Sequence, residues 1–224
     1  MRKILSLSLC SLAALMFAAG CGNNNTKKTE ETTEAADSAA LAEKTQSVME
    51  KLASLPEEPM FDIITSLGTI RIKLYKGTPL HRDNFAKLAL EGYFDKLCFH
   101  RVINGFMIQG GDPLSKDETM KDRWGTGGPG YTVAAEIKPE YTHKKGALAA
   151  ARRGDAANPM RESSGSQFYL VQNAASCAQL DGAYTVFGET VQGLNVIDAI
   201  ASVPTDPRDR PLTDVKIITV KVVE

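Results

Sequence analysis

Short apolar runs separated by turn residues fill the chain from residue 60 to its end. The runs are rich in Val, Ile, Phe and Tyr, and Gly, Pro, Asn and Asp lie between them, which is the pattern of β-strands joined by turns. They predict eight strands: Met60–Thr65, Thr69–Leu74, Phe99–Val102, Phe106–Gln109, Ala147–Ala150, Gln167–Val171, Thr185–Glu189 and Val215–Val223.

Two segments among these strands have helical spacing instead. Leu80 to Gly92 carries Phe85 and Leu88 on one face, and Leu194 to Ala201 carries apolar residues at positions three and four apart. Many short strands with two helices favour a mainly β fold, a closed antiparallel barrel capped by helices.

A further helix is predicted before the barrel, over residues 41–59. Its apolar residues recur with roughly helical spacing among Glu and Lys, and two prolines end the pattern. These residues are Leu41, Val48, Met49, Leu52, Leu55, Pro56 and Pro59. We expect a spacer or a lid packed on the domain. The pattern is too short for a dimeric coiled coil, so a monomer is expected.

The first forty residues differ from the rest in composition. Arg2 and Lys3 precede an apolar stretch at residues 4–19 that is short for a membrane span, as in a secretory signal peptide. The sequence Ala18-Ala19-Gly20-Cys21 resembles a lipobox, with Ala18 in place of the commoner Leu. We therefore expect a bacterial lipoprotein acylated at Cys21, with its domain in the cell envelope outside the cytoplasm, periplasmic or surface-exposed. The alternative is an ordinary signal peptide with a chance cysteine.

The segment after Cys21 is polar and contains no aromatic residue up to residue 40, so it cannot bury enough apolar surface to fold. The predicted organisation is a signal peptide at 1–20, a disordered tether at 21–40, a helical spacer at 41–59 and a folded domain at 60–224. Cleavage removes Cys10 and acylation uses Cys21, so only Cys98 and Cys177 remain, which excludes a disulfide framework.

Overall charge excludes one class of partner. The chain has 26 Lys and Arg against 27 Asp and Glu, a net charge of −1, and the basic residues are scattered rather than clustered. A nucleic-acid partner is therefore not expected. At 43% hydrophobic and 24% charged residues, the composition is that of a globular protein with a core.

The segment from Phe99 to Asp112 reads FHRVINGFMIQGGD and resembles the signature of the cyclophilins. Three more segments follow in the order and approximate spacing of that family: GTGG at 125–128, GSQFY at 165–169, and LDG at 180–182 with VFG at 186–188. The resemblance implies an eight-stranded barrel capped by two helices and peptidyl-prolyl cis/trans isomerase activity. We expect no cofactor and no metal. The expected partners are proline-containing segments, which the lipoprotein signal would place in unfolded or folded envelope proteins.

Such catalysis needs no nucleophile, because rotation requires only that a surface bind the twisted peptide bond better than either planar form. Alternation along the strand puts Phe99, Arg101 and Ile103 on one face and His100 and Val102 on the other. By resemblance Arg101 is the catalytic arginine, reaching the prolyl nitrogen. The resemblance also implies the substrate-binding residues: Phe106, Met107, Tyr169 and Leu180 for the proline ring, Gln109 and Gln167 for the substrate backbone, and Ala151, Arg152 and Tyr184 along the groove.

Two departures from the family pattern keep an alternative open. Tyr169 replaces the usual Phe and adds a hydroxyl that needs a partner, and Tyr184 stands where many relatives have His. A module that binds proline peptides as a chaperone or scaffold, with weak or no isomerase activity, is the alternative function, and Arg101 argues against it. Phe168 belongs in the core, since alternation puts it opposite Gln167 and Tyr169.

Other motifs in the sequence do not indicate a functional site, because the residues around them do not fit. Gly125, Gly127 and Gly130 have dinucleotide-binding spacing, but no βαβ unit follows, and Ser166 lacks the second glycine of a nucleophile elbow. The three histidines, His81, His100 and His143, lack metal-ligand spacing, and His100 is expected to be structural.

The lipid anchor gives the first prediction. Replacing Cys21 by Ser removes the acylated thiol, so the variant should leave the membrane fraction, whereas the parent protein should stay there. Fractionation after a high-salt wash measures this. Retention of the Cys21→Ser protein on washed membranes would contradict the anchor.

Overall fold

The eight predicted strands form one antiparallel sheet in the computed structural model, which describes residues 41–223. The strands are β1 (Met60–Thr65), β2 (Gly68–Leu74), β3 (Arg101–Ile103), β4 (Met107–Gly110), β6 (Ala147–Ala150), β8 (Phe168–Val171), β9 (Val186–Gln192) and β10 (Ile217–Val222). Their order across the sheet is β10-β1-β2-β9-β6-β8-β4-β3. A second sheet, not predicted, pairs the two-residue strands β5 (Thr132–Val133) and β7 (Ser163–Ser164). The mainly β fold is confirmed.

The sheet does not close through a continuous ladder between β3 and β10. The segments just before these two strands approach each other instead, in an isolated bridge between Cys98 and Lys216. Three backbone hydrogen bonds join these segments, from Phe99 N to Val215 O at 2.9 Å, from Ile217 N to Leu97 O at 2.7 Å and from Lys96 N to Ile217 O at 2.8 Å. The predicted eight-stranded antiparallel fold is thus confirmed as a half-barrel, and full closure of the barrel was an overstatement.

The two predicted caps are α2 (Pro79–Leu90) and α4 (Leu194–Ala201), and a shorter helix, α3 (Ala174–Cys177), lies between them. Residues 41–54 form helix α1. Three short 3₁₀ helices cover Pro113–Lys116, Glu118–Arg123 and Ala178–Leu180. Over residues 41–223, none of the helices combines the length and apolar character needed to cross a bilayer. The predicted signal peptide, Cys21 and the tether lie outside the described residues.

The compact unit that contains the sheet begins at Lys44, so it includes all but the first three residues of α1. Within that unit α1 buries Val48, and Leu52 and Leu55 pack against the main core. Met49 remains half exposed.

The main core fills one face of the sheet and the inner faces of both caps. Phe61, Ile63, Ile70, Ile72 and Leu74 alternate inward from β1 and β2 and are fully buried. The inward residues of the caps are Phe85, Ala86, Leu88 and Ala89 from α2 and Val196, Ile197, Ile200 and Ala201 from α4. Burial of these apolar side chains on both caps holds the helices against the sheet.

A second apolar cluster lies on the opposite face of β4, β6 and β8. Along β8, Phe168 and Leu170 enter the main core, whereas Tyr169 and Val171 enter the second cluster. Phe168 is therefore a core residue, as alternation predicts. Because these strands are buried on both faces, the second cluster has a rigid base.

Glu136, in the loop after β5, caps helix α2. Thr78 at the N-cap offers no side-chain bond. The Glu136 carboxylate instead accepts the backbone N–H groups of Leu80 at 3.1 Å and His81 at 2.9 Å, and the His81 Nδ1 donates to it at 2.7 Å. The other ring nitrogen of His81 lies 2.9 Å from the hydroxyl of buried Ser163. One carboxylate thus joins α2 to the small β5–β7 sheet.

Replacing Glu136 by Ala should lower the free energy of unfolding by about 2 to 4 kcal/mol, because it leaves two helix N–H groups and a buried imidazole without their acceptor. Urea denaturation measures the change. Glu140→Ala is the control, since Glu140 is exposed four residues further on. Equal stability of the two variants would show that the cap contributes nothing.

Candidate active site

A pocket of about 310 Å³ opens above the second apolar cluster. Every predicted site residue of the folded domain except Gln167 lines it. The apolar wall comes from Phe106, Met107, Ala151, Tyr169 and Leu180. The residues that line the pocket without having been predicted as site residues are His100, Trp124, Gly125, Arg208 and Arg210.

Strand register brings the polar residues to this wall. Arg101 on β3 faces Gln109 on β4, and Gln109 faces Tyr169 on β8. Directly opposed residues on neighbouring strands share a face of the sheet, so these three side chains form one row across the pocket. The N–H of Arg101 Nη1 donates to Gln109 Oε1 at 3.5 Å, and Arg101 Nε lies 3.6 Å from the Asp209 carboxylate.

The predicted alternation before Arg101 is wrong at two residues, Phe99 and His100. Phe99 is buried in the main core together with Val102, and His100 lines the pocket beside Arg101. The reason is that β3 begins only at Arg101, so residues 99 and 100 are not in regular strand conformation.

Gln167 lies behind Gln109, not in the pocket wall. Its side-chain oxygen accepts from Gln109 Nε2 at 3.1 Å, and its Nε2 donates to the carbonyls of Gly125 at 3.1 Å and Gly127 at 2.8 Å. The oxygen and the nitrogen of this side-chain amide are therefore both occupied by hydrogen bonds within the protein. The position of Gln167 suits orienting Gln109 better than touching a ligand.

Asp112, the last residue of the signature, holds the loop that carries Trp124 and Gly125. It is fully buried, and its carboxylate accepts the N–H groups of Leu114, Gly125 and Gly127. A carboxylate that accepts three backbone N–H groups fixes a loop firmly.

Gly111 lets the signature approach the segment that carries Gln167. Its φ of 89° is left-handed, and a side chain there would overlap the carbonyl oxygen of Ser166. The Ser166 hydroxyl donates to the Gly111 carbonyl at 2.7 Å. Only glycine combines this φ with so close an approach.

The hydroxyl of Tyr169 has a buried partner. It lies 2.8 Å from His143 Nε2, and His143 Nδ1 donates to the Asp181 carboxylate at 2.6 Å. Burial lowers the pKa of His143 against the opposing effect of Asp181, and burial raises the pKa of Tyr169 above its usual range. Both groups are therefore neutral near pH 7, with Tyr169 donating to His143.

Tyr184 and Arg152 form the far side of the groove. The Arg152 guanidinium lies 4.3 Å from the centre of the Tyr184 ring, and its Nε donates to the Ala183 carbonyl at 2.9 Å. Asp155 pairs with Arg152 Nη1 at 2.6 Å. These contacts hold the arginine flat on the ring.

His100 is buried in the pocket floor. Burial lowers its pKa to about 4, the nearby Asp112 opposes this shift, and Arg210 and Arg101 reinforce it. The imidazole is therefore uncharged at neutral pH.

Residues 41–223 contain no group of three or more His, Cys, Asp or Glu side chains placed to hold a metal ion. Cys98 and Cys177 are both buried and both free thiols.

Sequence reasoning alone could not find Trp124, Arg208 and Arg210. They come from segments far from the signature, and no motif marks them. His100 lies in the signature at 99–112 and Gly125 in the GTGG segment, so the sequence could have predicted that both line the pocket.

Comparisons with known proteins agree on one family. The family model described as cyclophilin type peptidyl-prolyl cis-trans isomerase/CLD matches residues 60–222. The chain is 41% identical over 161 residues to peptidyl-prolyl cis-trans isomerase-like 1 of Neurospora crassa, covering 71% of this chain and 91% of that protein. It is 38% identical over 173 residues to the human protein of the same name, covering 75% and 96%.

Solved structures give the same fold. A crystal structure of a Cryptosporidium parvum cyclophilin type peptidyl-prolyl cis-trans isomerase matches with a TM-score of 0.66 and 29% identity, over 75% of this chain and 98% of that one. A second structure of that protein, in the presence of the dipeptide Ala-Pro, matches with a TM-score of 0.65 and 29% identity, over 74% and 99%.

The buried Tyr169–His143 hydrogen bond gives a stability prediction. Replacing Tyr169 by Phe leaves His143 Nε2 buried without its donor and should lower the free energy of unfolding by about 1 to 2 kcal/mol. Tyr131→Phe is the matched control, because the Tyr131 hydroxyl also donates one hydrogen bond, to Asn84, but is exposed. If urea denaturation gives the same small loss for both variants, the buried bond is not stabilising.

Proposed function

Since the chain belongs to the cyclophilin-type peptidyl-prolyl cis-trans isomerase family, we propose that it isomerises peptide bonds preceding proline in proteins of the bacterial cell envelope. Arg101 and the apolar wall would carry the catalysis without a covalent intermediate. The observation that supports this most directly is the row formed by Arg101, Gln109 and Tyr169 beside an apolar pocket of about 310 Å³.

Catalysis of prolyl rotation requires only a moderate lowering of the barrier. Rotation about a prolyl bond takes tens of seconds uncatalysed, so reaching milliseconds requires on the order of ten-thousandfold acceleration, about 5 to 6 kcal/mol. A single hydrogen bond from a charged group supplies about 1.5 to 3 kcal/mol. The apolar wall must contribute the remainder by excluding water and holding the proline ring.

Arg101 is suited to the charged hydrogen bond. In the twisted state the prolyl nitrogen becomes pyramidal and basic, so a donor aimed at it binds the transition state better than either planar isomer. The guanidinium of Arg101 is partly exposed at the pocket and has Gln109 and Asp209 as neighbours. A planar fork can stay in contact with Gln109 while another N–H faces the substrate.

The wall is suited to the proline ring. Met107 and Tyr169 are buried, and Phe106 and Leu180 are partly buried, so the pocket offers apolar surface at a fixed depth. The Cryptosporidium parvum relative solved in the presence of Ala-Pro has the same fold, and this supports an X-Pro segment as the ligand here. The partners would be proline-containing segments of envelope proteins.

The envelope location is proposed on the N-terminal sequence. Basic residues, a short apolar stretch and Cys21 after small residues together suit a lipoprotein signal, and the polar segment that follows suits a tether. The folded domain would then act as a monomer held near the membrane.

Arg101 gives the prediction that tests catalysis. Arg101→Ala should lower kcat/KM for a short proline peptide by roughly tenfold to a hundredfold or more, with a smaller effect on peptide affinity, because the lost hydrogen bond acts mainly on the twisted state. Arg101→Lys should restore only part of the activity, since an ammonium group lacks the planar fork.

The control is Arg82→Ala, which removes an arginine of α2 that lies outside the pocket. Thermal melting checks that each variant is folded, and calorimetry checks that it still binds the peptide. Full turnover by Arg101→Ala would remove the arginine from the mechanism. Peptide binding by the parent protein without any turnover would instead favour a binding module.

A further inference from the structure

The pocket contains four arginines, and three of them have a carboxylate partner. Arg101 lies 3.6 Å from Asp209, Arg152 pairs with Asp155 at 2.6 Å, and Arg208 pairs with Asp122 at 3.1 Å. Arg210, the fourth, forms no ion pair with any Asp or Glu side chain of residues 41–223. It is also the most buried of the four as a whole residue, at 8% exposure.

The guanidinium of Arg210 is held by weak contacts only. Its Cζ lies 5.8 Å from the centre of the Trp124 ring, and its Nη2 donates to the Trp124 carbonyl at 3.5 Å, the long end of a hydrogen bond. The group has five N–H donors, so most of its donor capacity is unused by these two contacts. None of these remaining donors is a buried group without a partner, so they reach the solvent of the pocket, where an anion can bind them.

The backbone around Arg210 is built to keep it in place. The Asp206 carboxylate accepts the backbone N–H groups of both Arg208 and Arg210, at 2.8 and 3.0 Å, and Asp206 N donates to the Arg210 carbonyl at 2.7 Å. Asp206 therefore braces the loop through its backbone. Its carboxylate also attracts the charge of Arg210, but the two side chains do not form an ion pair.

The other residues that line the pocket around Arg210 include positively charged side chains and no negatively charged ones. No Asp or Glu side chain of the described chain lines the pocket, and the neighbouring His100 is uncharged. Arg208 leaves the same loop two residues earlier, with a side chain that is 65% exposed. An anion entering here would meet Arg210 at the floor and Arg208 at the rim.

We propose that Arg210, assisted by Arg208, is a specificity-determining residue that binds the carboxylate of an Asp or Glu close to the proline of the substrate. The inference rests on the proposed isomerase function and names its substrate class, proline segments with an acidic neighbour. A guanidinium binds a carboxylate with two parallel N–H donors, and the low exposure of Arg210 strengthens the contact.

The test uses peptides that differ in one residue. Glu, Gln or Lys is placed in turn at the two residues before and the two residues after a single proline. The kcat/KM of the parent protein is then measured for each peptide by a protease-free assay. At one of these positions Glu should exceed Gln by about three- to thirtyfold, and Lys should fall below Gln. The Glu-to-Gln ratio should shrink as the salt concentration rises, because salt screens the carboxylate.

Variants separate charge from packing. Arg210→Gln should bring the ratio of kcat/KM for the Glu and Gln peptides close to one. Arg210→Lys should keep part of this ratio, because it keeps the positive charge. If Arg210 served only to contact Trp124, keeping the charge would not keep the ratio. Arg82→Gln removes the same charge on α2, outside the pocket, and should leave the ratio unchanged. If Arg210→Gln does not fold, the ratios for Arg210→Lys and the salt dependence of the parent decide the question.

Equal kcat/KM for Glu and Gln peptides in the parent protein, or a ratio kept in Arg210→Gln, overturns the inference. Absence of turnover for every peptide would instead count against the proposed isomerase function. In that case calorimetry with the same Glu and Gln peptides still tests the acidic preference, and equal affinities would overturn it.

Discussion

The side-chain amide of Gln167 is the interaction on which the pocket depends. Its oxygen holds Gln109, and its nitrogen holds the carbonyls of Gly125 and Gly127, so one buried group joins β4, β8 and the Trp124 loop. A buried amide whose donors and acceptor are engaged has a single favourable orientation. Gln109 is therefore fixed with its own oxygen toward Arg101. Asp112 reinforces the arrangement from the other side by binding the backbone of the same loop, so the polar edge of the pocket is set before any ligand arrives.

The apolar side of the pocket is fixed by a different means. The strand β8 is buried on both faces, with Phe168 and Leu170 in the main core and Tyr169 in the second cluster. Close packing under the strand leaves little room for the wall to move. Tyr169 is fixed further by its hydrogen bond to His143, so the hydroxyl that distinguishes it from phenylalanine stabilises the wall without entering the pocket chemistry. Preorganisation on a strand is what a site requires if it is to bind a twisted bond better than a planar one.

The fold was largely predictable because its signals are local. Alternation located all eight strands of the large sheet, and the signature contained the β3–β4 hairpin, so the pairing of Arg101 with Gln109 followed from one continuous segment. The failures have physical causes. Phe99 enters the core because the strand starts two residues later, which alternation cannot detect. The strands β5 and β7 have two residues each, too few to show a period. Trp124 and Arg210 reach the pocket through carboxylate-braced loops, and Asp112 and Asp206, which set those loops, look like ordinary turn residues in the sequence.

The loop at residues 206–210 gives Arg101 a weak carboxylate partner and leaves Arg210 without an ion pair to any side chain of the described chain. Val102 N donates to the Asp209 carbonyl at 2.7 Å, which ties this loop to the strand that carries Arg101. The Asp209 side chain then lies 3.6 Å from Arg101 Nε, with both side chains more than 40% exposed. An ion pair that long and that exposed contributes little, so Arg101 can exchange it for a substrate contact at small cost. Arg210, one residue after Asp209, has no such partner to exchange. The same short loop therefore gives the proposed catalyst a weak resting partner and leaves the donors of Arg210 available to a ligand in the pocket.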